Sequence, residues 1–149
     1  MSQPQQFCTF HLENLFIGID VTRVQEVIRP QRMTPVPLSS KIIRGLINLR
    51  GQIVTAIDLR KRMCLSGESN DATAMNVIVR TEGGVASLLV DRIGDVIDVD
   101  PDTFERPPES LRGEARTLVS GVYKLKGKLL LTIDTEKVLN SDLKPNDPI

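Results

Sequence analysis

The stretch Gly45–Met63 (GLINLRGQIVTAIDLRKRM) returns in altered form at Gly121–Leu139 (GVYKLKGKLLLTIDTEKVL), so one supersecondary unit occurs twice in the chain. Gly45 aligns with Gly121, Leu49 with Leu125, Arg50 with Lys126, Gly51 with Gly127, Ile57 with Ile133 and Asp58 with Asp134. Self-similarity at a fixed offset is the signature of a duplicated architecture. A weaker echo sets Arg23, Val24, Glu26, Val27 and Ile28 against Arg92, Ile93, Asp95, Val96 and Ile97, at an offset a few residues shorter. One small insertion or deletion between the halves explains the difference; chance likeness among aliphatic-rich segments is the competing explanation.

At 149 residues, the duplication sets two small lobes within one domain. A repeat of about 60 to 70 residues buries only roughly 60% of its unfolded surface and is marginal alone. The lobes are therefore expected to pack on each other, at about 7–66 and 75–140, with exchange of strands between them possible and a polar tail over 141–149. Their core must be aliphatic, because there is no Trp, one Tyr and four Phe; Val, Ile and Leu suit tightly packed strands.

Nineteen basic and nineteen acidic side chains cancel, which argues against a broad electrostatic attraction to nucleic acid. No signal-peptide pattern opens the sequence, and no apolar run reaches the ~20 residues of a membrane span. A soluble cytoplasmic protein is expected. Cys8 and Cys64 lie far apart with no C-x-x-C spacing, and read as reduced thiols, Cys8 as a small buried hydrophobe.

Along the chain, Phe7–Leu12 and Leu15–Ile19 form a hairpin around Glu13-Asn14. Asp20 or Thr22 can cap a short helix carrying Val24, Val27 and Ile28 on one face and ending at Pro30. Met33–Pro37 is extended, an edge strand at best. Leu46–Leu49 and Ile53–Leu59 form a second hairpin with Gly51 in its turn, after which Asp58 caps a short helix. The small polar residues of 66–74 mark a loop between the halves. Strands follow at Val77–Arg80, Val85–Asp91 and Gly94–Asp98, then an irregular stretch punctuated by Pro101, Pro107 and Pro108. The repeat hairpin, Leu118–Leu125 with Lys128–Ile133, leads to a helix capped by Asp134 and ending near Asn140. Many short strands with turn glycines describe a mostly β fold of two small barrels in which helices are punctuation.

Catalytic chemistry finds little footing. The single His11 removes metal-binding pairs and His-based triads, and there is no phosphate-binding G-x-x-x-x-G-K-[ST] loop. Asp58 and Asp134 occupy equivalent helix starts, where capping explains both. The acidic residues between Asp91 and Asp102 lack a calcium-loop arrangement. Arg50 stands apart, a cation in a hairpin turn after Asn48 and Leu49. On physics alone it is a solvated turn charge.

The whole segment Gly45–Arg60 resembles the signature region of the CheW family, the coupling proteins of bacterial chemotaxis. So do Ile19–Ile28, Ser87–Ile97 and the Gly-x-x-x-Leu-x-Gly-x-Leu-Leu-Leu pattern from Gly121, four motifs in order across nearly the entire chain. Thr55 departs, standing where many members carry a proline, which bears on local strand geometry. The resemblance implies two SH3-like β-barrels of about five strands each and a non-catalytic adaptor. Such proteins bridge the cytoplasmic hairpin tip of a chemoreceptor to the regulatory domain of the histidine kinase CheA, at membrane-associated receptor arrays and without insertion into the membrane. By the same likeness Asn48, Leu49 and Arg50 line a receptor groove between the lobes, with Val24, Glu26 and Val96 nearby; no cofactor is implied. The alternative, a pair of small barrels that bind single-stranded nucleic acid, lacks stacking aromatics and a basic groove.

Overall fold

The computed structural model describes residues 5–67, 70, 72–109, 111 and 113–139; the expected polar tail and the end of the last helix at Asn140 lie outside them. In chain order the elements are β1 (Gln5–Leu12), β2 (Leu15–Asp20), β3 (Val24–Ile28), β4 (Ile43–Leu49), β5 (Gln52–Asp58), α1 (Leu59–Arg62), β6 (Met75–Thr81), β7 (Gly84–Val90), β8 (Arg92–Val99), β9 (Phe104–Glu105), α2 (Gly113–Leu118), β10 (Val119–Leu125), β11 (Lys128–Ile133) and α3 (Thr135–Val138). Four two-residue turns close four antiparallel hairpins, with Leu12 opposite Leu15, Leu49 opposite Gln52, Thr81 opposite Gly84 and Leu125 opposite Lys128. The helices are single turns or little more. Asp58 and Asp134 cap α1 and α3 by accepting backbone N–H groups, as the sequence predicts.

One helix expectation needs correction. Asp20 does cap a turn, accepting from the Thr22 amide, but that 3-10 turn stops at Arg23 and Val24–Ile28 is a strand. Its pairing with β6 slips between Val24, opposite Val79, and Glu26, opposite Ile78. A bulge adds one residue and breaks the two-residue alternation of a strand, so apolar side chains at Val24, Val27 and Ile28 fall into a helix-like spacing. The strand expected from Gly94 begins at Arg92 instead, and α2 was not legible at all, since six residues are too few for a period. Thr55, in the middle of β5, pairs with Leu46 on one side and Ala86 on the other, so the strand runs unbroken through it.

Two sheets result, of order β8-β1-β2-β11-β10-β9 and β3-β6-β7-β5-β4. The sixth strand, beyond the five expected, is the two-residue β9. Neither sheet comes from one half of the chain: the β1–β2 hairpin joins strands of the second half, and the β6–β7 hairpin joins strands of the first. Each joins through a parallel contact, β2 on β11 and β7 on β5. The repeat is thus a hairpin, a third strand, a short edge contact, a second hairpin and a helix, and the two copies exchange their first hairpins reciprocally. Even the irregularities repeat. Register shifts between Ile43 and Gly45 and between Val119 and Gly121 sit at the offset that aligns the two glycines. The isolated bridge from Thr34 to Leu46 mirrors β9 on Val122.

Packing follows the exchange. The largest apolar cluster draws Phe10, Leu12, Ile17 and Ile19 from the six-stranded sheet and Ile57, Val77, Leu88 and Val90 from the five-stranded one, so it lies between the sheets. Smaller clusters fill each sheet's own concavity, Phe7, Val99, Tyr123 and Leu130 in one and Ile47, Leu49, Val54 and Ile78 in the other.

Polar latches cross the same boundary. Arg60 of α1 bonds Asp91, in the β7–β8 connection, through Nε (3.0 Å) and Nη2 (2.5 Å), and reaches Glu13 in the β1–β2 turn (2.7 Å). At the related position of α3, Glu136 pairs with Arg23 in the β2–β3 connection (3.3 Å) and accepts from the Glu82 amide in the β6–β7 turn. The two junctions use the same geometry with charges inverted. Arg62, buried, donates to the carbonyls of Val138 (3.1 Å) and Lys137 (2.9 Å) at the end of α3 and to Glu114 of α2 (2.7 Å).

Candidate functional site

The turn joining β4 to β5 holds Arg50 and Gly51 at φ of 51° and 87°. Two successive left-handed residues suit a two-residue hairpin, because that turn's twist matches the twist of its strands. Gly51 adopts this conformation freely, whereas Arg50 adopts it against its side chain's preference. Asn48 offsets the strain: its Oδ1 accepts the Gly51 amide at 2.8 Å, which explains why an amide side chain precedes the turn by two residues. Leu49 anchors it from below, only 8% exposed in the cluster with Ile47, Val54 and Ile78. Leu49 therefore seats the turn and offers little apolar wall to a partner.

Arg50 itself projects outward, its side chain 67% exposed, and forms an ion pair with Glu26 of β3. Its Nη1 lies 3.2 Å from Glu26 Oε1, and Nη2 donates to Oε2, a two-pronged contact that fixes the guanidinium plane. The hydrogen bond from Arg50 holds the Glu26 carboxyl below its ordinary range, with a smaller contribution from the Gln25 amide, and Glu26 in turn raises the guanidinium. Since β3 and β4 are opposite edges of the five-stranded sheet, this contact requires the sheet to curl until its edges meet.

Five of the six residues that the sequence singles out thus belong to one sheet. Asn48, Leu49 and Arg50 form the turn, Glu26 holds Arg50, and Val24 lies two residues before Glu26 on β3, half-buried against the main core. Val96 lies elsewhere, on β8, the edge of the six-stranded sheet, opposite Cys8 and 56% exposed. Sequence reasoning missed the pairing of Arg50 with Glu26, which are 24 residues apart, one in the β4–β5 turn and the other on the opposite edge strand β3. Charge opposition was the one available hint, and it was diluted among nineteen carboxylates.

Cys8 and His11 lie on β1, and Cys64 follows α1. Cys8 and Cys64 are free thiols; burial, then the Asp20 charge, pushes the Cys8 thiol up, and it is half-buried rather than buried. His11 stacks beside Phe16 with ring centroids 5.2 Å apart. Among the described residues no helix is long and apolar enough to cross a membrane, and no group of three or more His, Cys, Asp or Glu is placed to hold a metal ion.

Comparison with known proteins gives a consistent answer. A family model of the CheW-like domain matches residues 6–143. The chemotaxis protein CheW of Bacillus subtilis is 32% identical over 139 residues, covering 93% of this chain and 88% of that protein. That of Klebsiella aerogenes is 31% identical, covering 93% and 83%. The crystal structure of the scaffolding protein TtCheW from Thermoanaerobacter tengcongensis superposes with a TM-score of 0.85 at 29% identity, covering 96% of this chain and 97% of that one.

Proposed function

This chain belongs to the CheW-like domain family, and from that premise we propose that it is a non-catalytic chemotaxis scaffold coupling chemoreceptor cytoplasmic tips to the histidine kinase CheA. It works in the cytoplasm, recruited to receptor arrays at the membrane. The observation that carries this reading is the end-to-end match: family profile, relatives named chemotaxis protein CheW and a solved scaffolding protein all align over nearly the entire chain.

The site supports it in physical terms. A scaffold needs a fixed recognition element, and the Asn48–Gly51 turn is held by a side-chain cap below and an ion pair beside it. Arg50 thereby presents exposed N–H donors without a large ordering cost on binding. The receptor's helical hairpin lays its tip against Arg50 and Asn48, with Val24, Glu26 and Val96 at the margins. The contact is modest, near the low end of roughly 1,200 Å², and multiplicity in the array supplies the remaining avidity.

The test is a pull-down with purified kinase regulatory domain and, separately, with receptor-tip fragments. Both should be retained by the wild-type protein, and only receptor retention should be lost in Arg50→Glu. Failure to retain either partner refutes the coupling role.

A further inference from the structure

Beside the first hairpin lies a cleft of about 580 Å³, bounded also by Pro108, Leu111 and β11. Its walls are Leu15, Phe16, Pro108, Leu111, Leu129 and Leu131, and Leu15, Leu111 and Leu131 continue into the main core. That volume lies within the roughly 300–1,000 Å³ of small-molecule sites, which combine an apolar lining with a few placed polar groups. Here those groups are cationic or able to donate. Lys128 Nζ sits 4.0 Å from the centre of the Phe16 ring, and the His11 ring packs against Phe16 from the other strand. Lys128 makes no ion pair among the described residues, and Arg92 stands directly opposite His11 in the β1–β8 pairing.

The field at His11 is positive: burial first, then the charges of Arg92 and Lys128, holds its imidazole below its ordinary value. A smaller cavity of about 190 Å³ shares His11, Phe16 and Lys128 but is also lined by Asp95. An acidic neighbour disfavours a negative head group there, which leaves the larger cleft.

We infer that this cleft binds a small amphipathic carboxylate, with its apolar body on Leu15, Leu111 and Leu129 and its head beside Lys128 and His11. A neutral ligand leaves the exposed ammonium above Phe16 to solvent. A carboxylate forms a charge-assisted bond to it. The site lies on the six-stranded sheet, whereas the Arg50 turn belongs to the five-stranded sheet, so it is a ligand site additional to that turn.

His11 is the only histidine in the chain, so its ring proton resonance is an unambiguous reporter. The probes are octanoate and its neutral counterpart 1-octanol, added to the full-length protein while His11 is titrated by NMR. Octanoate should shift the resonance saturably and raise the His11 pKa, because an adjacent anion offsets Arg92 and Lys128. Octanol should bind without raising the pKa, since it adds burial but no charge. Lys128→Met, an exposed position whose substitute keeps an apolar stem, should weaken octanoate by about tenfold and leave octanol and the melting temperature unchanged. Leu129→Asp, also at a partly exposed position, should block both probes. The inference is overturned if octanoate gives no saturable shift up to about 10 mM, if octanol raises the pKa equally, or if Lys128→Met binds octanoate as the wild type does.

Discussion

Replacing Asp91 by alanine should loosen the junction between the two sheets, and the structure sets the size of the effect. The Asp91 carboxylate accepts two bonds from Arg60 and one from the Glu13 amide at 2.8 Å. A hydrogen bond to a charged group contributes about 1.5–3 kcal/mol. The Arg60 and Asp91 side chains are 19% and 24% exposed, so water recovers part of that, and Arg60 keeps Glu13. A loss of about 2–3 kcal/mol results, which lowers the melting temperature of a domain this size by roughly 5–10 °C. Acid provides the second axis. Burial pushes the Asp91 carboxyl up, but the Arg60 hydrogen bond, the Glu13 amide and nearby cations outweigh it and hold it below its usual value. A carboxyl depressed in the folded state stabilises fully above its unfolded pKa of about 3.9 and loses that contribution as pH falls through the folded value. Thermal unfolding followed by circular dichroism should therefore show a constant gap between wild type and Asp91→Ala from about pH 7.5 to pH 5.5, narrowing below about pH 4. A gap under about 2 °C at neutral pH, or one that persists undiminished in acid, would refute the latch.

Three further outcomes follow from the same geometry. The fragment Met1–Ser66 should show no cooperative unfolding transition, because it lacks the β6–β7 hairpin that completes its sheet; a sigmoidal melt of that fragment would contradict the reciprocal exchange. Gly45→Ala should destabilise more than Gly121→Ala: an added methyl at Gly45 meets the Thr34 carbonyl oxygen at 2.8 Å, while at Gly121 it meets the ring of half-exposed Phe104, which can turn aside. Equal urea midpoints for the two variants would count against this. The double swap Glu26→Arg with Arg50→Glu restores an ion pair of reversed sense, so it should keep wild-type stability yet fail to bind the receptor tip; recovery of binding would mean that the pair is purely structural.

Much of this was readable from the chain, for identifiable reasons. Glycines at equivalent turns and Asp58 and Asp134 at equivalent helix starts disclosed the duplication, because turn and cap chemistry is local. The exchange of hairpins was not readable, since β2 on β11 and β7 on β5 are contacts between distant segments whose aliphatic faces are interchangeable. The bulge at Gln25 turned a strand into an apparent helix, showing how one inserted residue defeats a periodicity argument. At the site, Asn48 and Arg50 were visible as an unusual turn, but the burial of Leu49 depends on an edge-to-edge curl that no local pattern encodes. The half-buried position of Val24 bears on experiment: an aspartate there would strike the main core, so the exposed Arg50 is the cleaner probe.

The coupling role is tested most directly by reconstituting kinase, receptor and this protein and measuring kinase turnover with and without receptor ligand. Turnover of the isolated kinase should be nearly unchanged by the protein, and ligand control should appear only when receptor, kinase and scaffold are all present. Arg50→Glu, with a melting temperature within about 2 °C of wild type, should abolish that control. Ligand control that persists at full strength with folded Arg50→Glu, or that arises without this protein, would contradict the proposed coupling through the Asn48–Gly51 turn.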